Sequence, residues 1–314
     1  MSRQPSTPPP EPTLMGKLGP GLVTGAADDD PSGIATYSHV GAQFGYTMGW
    51  TLVFGFPLLA SIQGIAAVIG AVTGKGIARN LRQHYPRWLL RVVVVMLLVA
   101  NVINLGADLG AMAAALELIV GGPVLLYTIG FGAISVLCEI FVSYDRYARI
   151  LKWFTLSLFA YFGVMLVVDL PVGEALRPIA GPFAFYLFAL GIIGTGLLAV
   201  PVLAGSAAYA VSETFDWTEG LNRKPREAKA FYGAIAVATI GGMAIALLPI
   251  DPMKALYWAA VVNGVLAAPL MAVMMLIVRN PRVMGRMTLS RRMTVMGWIA
   301  TLVMAAASAT LLIS

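Results

Sequence analysis

The chain alternates long apolar stretches with short polar ones. Most of the apolar stretches are about 20–27 residues long, enough for a helix to cross the ~30 Å hydrocarbon layer of a bilayer. Because lipid offers no hydrogen bonds, each crossing segment must satisfy its own backbone, which favours helices. The nine predicted spans are residues 18–44, 49–72, 92–118, 124–142, 151–170, 183–211, 231–248, 253–277 and 293–313. The pattern therefore predicts an all-α, polytopic membrane bundle of about nine transmembrane helices.

Composition supports a membrane protein, and the lack of catalytic motifs argues against an enzyme. Hydrophobic residues make up 59% of the chain and charged residues 11%, whereas soluble domains have about 45–50% and about 25%. Residues 1–16 are polar and proline-rich, which predicts a disordered cytoplasmic tail before a single transmembrane domain, 17–314. The lone Cys138 cannot form an intramolecular disulfide. No HExxH motif and no phosphate-binding loop is present, so we expect neither catalysis nor a cofactor.

Charge along the loops predicts the orientation in the membrane. Nineteen of the 21 Lys and Arg residues lie before the first span or in every second loop and its edges, and only Arg177 and Lys254 lie in or at the edge of the others. The positive-inside rule then places the N-terminus in the cytoplasm and the C-terminus outside. We therefore expect a multi-pass protein of the cell (inner) membrane, and we interpret the net charge of +6 as topology, not nucleic-acid binding.

The first span is interrupted by three carboxylates, Asp28, Asp29 and Asp30, followed by Pro31 and Gly33. Carboxylates in hydrocarbon should face a cavity, a partner or a cation. In one interpretation Asp30 is only the N-cap of a helix that begins at Pro31. In the other, the same geometry frees carbonyl oxygens that hold a cation together with Asp30, as broken helices do in transporters. The N-cap alone does not explain why a helix would begin in mid-membrane.

Further polar residues lie within other spans. In the third span, Asn101, Asn104 and Asp108 share one helical face because they are three and four residues apart. We expect the asparagines to hydrogen-bond neighbouring helices and Asp108 to relay protons. Glu117 and Glu139 lie near span ends and are predicted to be interfacial.

Two other features of the spans are interpreted as packing. Gly194 and Pro201 could mark a second break within 183–211, but we favour close packing of small residues with a proline kink. His39 is interpreted as a packing residue, since a lone histidine more often packs than moves protons.

A sequence resemblance connects these features to a known family. The residues Gly19-Pro20-Gly21, followed by Asp30-Pro31-Ser32-Gly33-Ile34-Ala35-Thr36, resemble the first helix of the Nramp (natural resistance-associated macrophage protein) divalent metal transporters, in particular a bacterial Nramp-related branch. The resemblance implies a two-repeat (LeuT-like) transporter fold with a broken first helix. Residues 17–170 would form the first five-helix repeat, and 183–314 would form the remainder of the second repeat and a final helix.

The resemblance also implies roles for individual residues. Asp30 would be the metal ligand, carbonyl oxygens near Ala27 would assist it, and Pro31 and Gly33 would make the helix break. Asp108 matches an acid on the family's third helix that is linked to proton movement. The family's asparagine ligand falls on Gly33, which has no side chain to offer.

The resemblance has one large gap. The short join 169–182 stands where the family has its sixth and seventh helices, so we expect these two helices to be missing. The sequence thus predicts proton-coupled transport of a divalent metal such as Mn²⁺, Fe²⁺ or Mg²⁺, with the metal ion, protons and the lipid bilayer as partners. The alternative is a transport-inactive shortened relative that acts as a scaffold or survives as a remnant.

Overall fold

The computed structural model describes residues 30–142, 182–285, 287 and 289–313, and the side chains from 186 onward in its second part. All regular structure in these residues is helical. The helices are α1 (Pro31–Phe44), α2 (Trp50–Thr73), α3 (Ile77–His84), α4 (Arg87–Val120), α5 (Val124–Phe141), α6 (Pro182–Phe215), α7 (Lys229–Ala246), α8 (Pro252–Arg279), α9 (Pro281–Met284) and α10 (Arg291–Ile313). A 3₁₀ turn, Gly45–Met48, joins α1 to α2.

Seven of the described helices are long and apolar enough to cross a membrane: α2, α4, α5, α6, α7, α8 and α10. They coincide with seven of the nine predicted spans, so the helical membrane bundle is confirmed for the described part of the chain. Helix α1 is the part of the first span that follows the break. The tail 1–16, the rest of the first span and the fifth span, 151–170, lie outside the described residues.

The centre of the bundle is formed by α4, α6 and α7, which pack on one another. Close approach of α4 and α7 depends on two glycines. A Cβ atom at Gly106 would lie 2.7 Å from Cβ of Ile245, and one at Gly242 would lie 2.6 Å from Cβ of Leu105. In lipid, the hydrophobic effect does not drive helices together. Membrane helices associate instead through van der Waals packing, which small residues such as glycine allow by letting the backbones approach closely.

Helix α6 runs without interruption from Pro182 to Phe215, with Pro201 inside it. A second broken helix is therefore absent from α6, which agrees with the packing interpretation of Gly194 and Pro201. The hydroxyl of Thr195 donates to the carbonyl of Gly191 within the same helix at 2.9 Å, so this buried polar group is satisfied locally.

Helix α3, which lies between α2 and α4, is held by the end of α6. Its N-cap residue, Gly76, has no side chain to bind the free backbone N–H groups of the first turn. Glu213 of α6 supplies the missing acceptor: its two carboxylate oxygens accept from the backbone N–H of Gly76 at 2.8 Å and of Arg79 at 3.0 Å. A helix N-terminus favours a negative charge, so this contact stabilises both partners.

Two ion pairs extend this contact beyond the end of α6. Arg79 binds Glu219 at 2.7 Å, and Arg82 binds Asp216 at 2.9 Å. The hydrogen bond from Arg82 holds the pKa of Asp216 below its usual value. The pKa of Glu219 is instead raised, because its burial outweighs the attraction of Arg79. Hydrogen bonds and ion pairs from the end of α6 and the loop after it therefore hold α3 against the bundle.

Candidate functional site

Helix α1 begins at Pro31 with Asp30 as its N-cap, as the sequence predicts. Asp30 has an extended backbone (φ −69°, ψ 167°). Its Oδ1 atom accepts from the backbone N–H of Gly33 at 2.9 Å and from the hydroxyl of Ser32 at 2.6 Å. The N-cap interpretation and the cation-site interpretation share this local geometry. The position of Asp30 in the bundle therefore has to distinguish between them.

The start of α1 lies inside the bundle, not at its edge. Pro31 and Ser32 are buried. A Cβ atom built on Gly196, near the middle of α6, would lie 3.5 Å from Cγ of Pro31 and would overlap the side chain of Met112 on α4. The N-terminus of α1 thus points into the interior beside two long spanning helices, where a capping carboxylate alone is costly.

A second carboxylate lies close by. Asp108 of α4 is completely buried, and neither of its carboxylate oxygens has a hydrogen-bond partner among the described residues. The charge of Asp30 is near enough to act on Asp108 electrostatically. Asp108 is twelve residues from the end of α4, or about 18 Å along the axis, which is well inside a membrane. Two neighbouring carboxylates in such a place need a cation or a proton to balance their charge.

The structure therefore brings together Asp30, Pro31, Gly33 and Asp108, four of the predicted site residues. Ala27, with the neighbouring acids Asp28 and Asp29, lies outside the described residues. Within the described ranges, no group of three or more His, Cys, Asp or Glu side chains could hold a metal ion. Among the described residues, the charged side chains at the helix break are thus the two carboxylates of Asp30 and Asp108.

Two neighbours of the site were missed at the sequence level. Ser32 donates its hydroxyl to Asp30, and Met112 places its thioether against Gly196, beside Pro31. Met112 follows Asp108 by four residues, and this spacing puts both on one face of α4. That spacing was the available signal, but a methionine in an apolar helix usually indicates only packing.

The other polar residues differ in their burial and in their partners. Asn101 donates its amide to the carbonyl of Leu203 on α6 at 3.2 Å, which confirms the predicted bond to a neighbouring helix for this residue. The Oδ1 atom of Asn104 is buried without a hydrogen-bond partner among the described residues, so the prediction is not confirmed for Asn104. Nε2 of His39 lies 3.0 Å from the amide nitrogen of Gln43, and its ring centre is 5.3 Å from that of Tyr257.

The two glutamates near helix ends differ from each other. Glu117 is half-buried in the last turn of α4, which agrees with an interfacial position. Glu139 is only 3% exposed. The side chain of Glu139 is therefore enclosed by protein, because α5 packs on α4, α6 and α7. Its interfacial depth in the membrane stays a prediction.

A cavity of about 690 Å³ lies at the end of the bundle opposite α3. It is bounded by the ends of α4 and α7 and by the N-terminal parts of α5, α6 and α8. Its described lining is mostly apolar, with the acids Glu117 and Asp251 among it, and it extends to Gly110 and Ala111. These are the residues two and three positions after Asp108. The cavity thus reaches the turn of α4 that carries the buried carboxylate.

Comparison with known proteins agrees with this arrangement. Residues 21–177 and 171–314 match the model of the natural resistance-associated macrophage protein-like family, Nramp. The chain belongs to the Nramp family. The two matched segments meet at 171–177, within the join where the sequence predicts two helices to be missing. Membership also confirms the predictions of a multi-pass membrane protein and of a transporter family rather than an enzyme.

The relatives of this Nramp chain include curated transporters. It is 27% identical over 239 residues to the divalent metal cation transporter MntH of two Klebsiella pneumoniae strains, over 74% of this chain and 56% of each relative. The chain thus spans little more than half the length of these relatives.

Solved structures share the fold of this Nramp chain. The Eremococcus coleocola manganese transporter mutant H236A matches with a TM-score of 0.74 at 13% identity, over 96% of this chain and 87% of that one. The same transporter bound to an aromatic bis-isothiourea compound matches with a TM-score of 0.63 at 14% identity, over 96% and 88%. This likeness confirms the predicted LeuT-like transporter fold class.

Proposed function

We propose that this Nramp-family chain transports divalent metal cations across the membrane through a site at the Asp30–Pro31 break. The observation that carries the proposal is the approach of Asp30 to the fully buried Asp108. The two carboxylate oxygens of Asp108 have no hydrogen-bond partner among the described residues. A divalent cation balances two carboxylates in the interior. The names of the MntH relatives support the same cargo.

The chemistry of the break suits a hard or borderline cation. Asp30 offers carboxylate oxygen, and the proposal adds backbone carbonyl oxygens near Ala27, as the interrupted helices of transporters provide them. Such ligands suit Mn²⁺, Mg²⁺ and Fe²⁺. Mn²⁺ is the natural first probe, because the solved relative is a manganese transporter.

Coupling to protons follows from the same electrostatics. When the cation leaves, Asp30 and Asp108 again face each other as like charges in a buried place. Uptake of a proton by Asp108 relieves that repulsion, so each metal ion that departs would favour protonation of this carboxyl. Asp108 is thereby proposed as the proton relay, and rocking of one helix group against the rest would expose the site to each side in turn.

The decisive experiment is Mn²⁺ uptake into liposomes that contain the purified chain and an enclosed metal-sensitive dye. We expect uptake above that of empty liposomes, and we expect Asp30→Asn to reduce it to the empty-liposome level because one ligand charge is lost. The matched control is Asp216→Asn, which neutralises a carboxylate in the loop after α6, outside the site. Equal loss in both variants would contradict a specific role for Asp30.

The shortened relative without transport is the second candidate. The observation that favours it is that the two family matches meet at 171–177, within the join where the sequence predicts two helices to be missing. This candidate predicts no uptake above empty liposomes from protein that still shows a cooperative thermal unfolding transition. That result would overturn the transport proposal.

We also propose that the protein lies in the cell membrane with its N-terminus in the cytoplasm, on the support of the alternating loop charges. In a Cys138→Ser background, Tyr46→Cys in the turn after α1 should react with an impermeant thiol reagent added to intact cells. Lys224→Cys, in the loop after α6, should react only after the membrane is opened. Both positions are exposed in the folded chain. The reverse pattern of labelling would show the opposite orientation.

A further inference from the structure

Glu139 is a buried carboxyl that the proposed transport site does not use. It lies two residues before the end of α5, and 3% of its surface is exposed. Helix α5 packs against α4, α6 and α7, so the side chain is enclosed by protein at this end of the bundle. The proposed transport site, by contrast, lies where the start of α1 meets α4 and α6. None of its contacts described above includes a residue of α5.

The carboxyl group of Glu139 has little to bind. The hydroxyl of Ser135, one turn earlier on α5, lies 3.5 Å from its Oε1 atom, at the limit of a hydrogen bond. Its Oε2 atom has no hydrogen-bond partner among the described residues.

Tyr232 on α7 lies within electrostatic reach of Glu139. Its hydroxyl is committed elsewhere, because it donates to the carbonyls of Leu221 and Arg223 at 3.3 and 2.8 Å. Tyr209 on α6 also acts electrostatically on Tyr232, and its hydroxyl accepts from the backbone N–H of Leu221.

Compensating cations are likewise lacking around Glu139 in the described residues. The ionisable residues of α4 are Arg87, Arg91, Asp108 and Glu117, and Lys229 begins α7; the described ion pairs include none between these residues and Glu139. A metal ion is also a poor explanation, since the described residues hold no cluster of three or more metal-binding side chains.

Glu213 is a second buried glutamate whose carboxylate oxygens, unlike those of Glu139, are both hydrogen-bonded. It is similarly buried, with 7% exposed, yet both of its oxygens accept backbone N–H groups at the start of α3. An ionised carboxylate at Glu139 would have no such compensation, and an isolated charge in the interior is strongly unfavourable. A carboxylic acid at the same place removes that cost, because the neutral group is far easier to bury.

We propose that Glu139 is a proton-binding site of the folded protein, a neutral carboxylic acid between α5 and α7 that is distinct from the Asp30–Asp108 pair. Its ligand is a single proton, taken from water by the carboxylate and returned to it, with no change of oxidation state. The Ser135 hydroxyl orients Oε1, and the proton resides on the oxygen that has no other partner. This proposal does not depend on metal transport, because a non-transporting chain with the same packing would hold the same proton.

The test is infrared difference spectroscopy of the purified full-length chain at neutral pH. The spectrum of the wild type minus that of Glu139→Gln should contain the C=O stretch of one protonated carboxylic acid, because the variant removes that acid while keeping its shape. Any contribution from Asp108 cancels in the difference. The matched control is Glu213→Gln, whose difference spectrum should show loss of carboxylate bands and no loss of a protonated acid.

If Glu139→Gln shows the loss of a carboxylate instead of an acid, Glu139 is ionised and the proposal is overturned. Should that variant fail to fold, Glu139→Asp keeps an acid but withdraws it by one methylene from Ser135. The protonated C=O band should then persist at a shifted frequency. An unchanged protonated band in Glu139→Asp would overturn the assignment, because the band would belong to another residue.

Discussion

Gly242→Ala should lower the free energy of unfolding by about 2 kcal/mol, although alanine is the better helix former. A Cβ atom at Gly242 would lie 2.6 Å from Cβ of Leu105 and 3.1 Å from the backbone nitrogen of Gly106. The nearest obstacles are backbone and Cβ atoms of α4, so no flexible side chain can move away. Helices α4 and α7 would have to separate, and buried contacts of Phe231 and Ile235 in the same cluster would be weakened.

The matched control is Gly233→Ala on the same helix, where an added Cβ meets nothing within 4 Å. This variant should be neutral or stabilising by up to about 1 kcal/mol, since it gains helix propensity without a clash. Both variants are compared by apparent melting temperature of the purified protein in one detergent at one heating rate. Equal melting temperatures for the two variants would show that α4 and α7 do not pack as closely as described.

Asp108→Asn should stabilise the metal-free protein by about 1–3 kcal/mol. The buried carboxyl of Asp108 has no described partner, so without a metal ion it must either keep an uncompensated charge or take up a proton at a cost in free energy, and asparagine does neither. The same change relieves the repulsion that Asp30 exerts on Asp108. Stability and function should therefore move in opposite directions, as is common where a site keeps an unfavourable group for its activity. The measurement is thermal unfolding with and without Mn²⁺.

Metal linkage gives this prediction a second readout. A bound ion at a hundredfold excess over its Kd stabilises a folded protein by about 2.7 kcal/mol. The wild type should gain stability with added Mn²⁺, and Asp108→Asn should gain clearly less at the same concentration. Glu117→Gln, half-buried nearer the end of α4, is the control and should keep the metal response of the wild type. A metal-free Asp108→Asn protein that melts lower than the wild type would show that Asp108 is compensated after all.

Much of the candidate site was predictable because its residues are unusual for their surroundings. Carboxylates such as Asp30 and Asp108 are rare in apolar spans, and Pro31 marks a helix start, so both acids and the N-cap could be identified from local sequence. Met112 and Glu139 could not be identified in this way. A methionine in a helix carries no special signal, and a glutamate near a span end is usually interfacial.

By itself, the sequence determined the helical class, the seven spans that the structure describes and the N-cap at Asp30. These properties depend on local chemistry: hydrocarbon requires an internally bonded backbone, and a proline can begin a helix but not donate within it. Only the tertiary structure decided that Asp30 lies near Asp108 and that α4 packs closely against Gly242 of α7. It also decided that α6 is unbroken and that Glu139 is buried. Each of these depends on which faces of distant helices meet, and every apolar face of a membrane helix is equally suited to lipid until a partner packs against it.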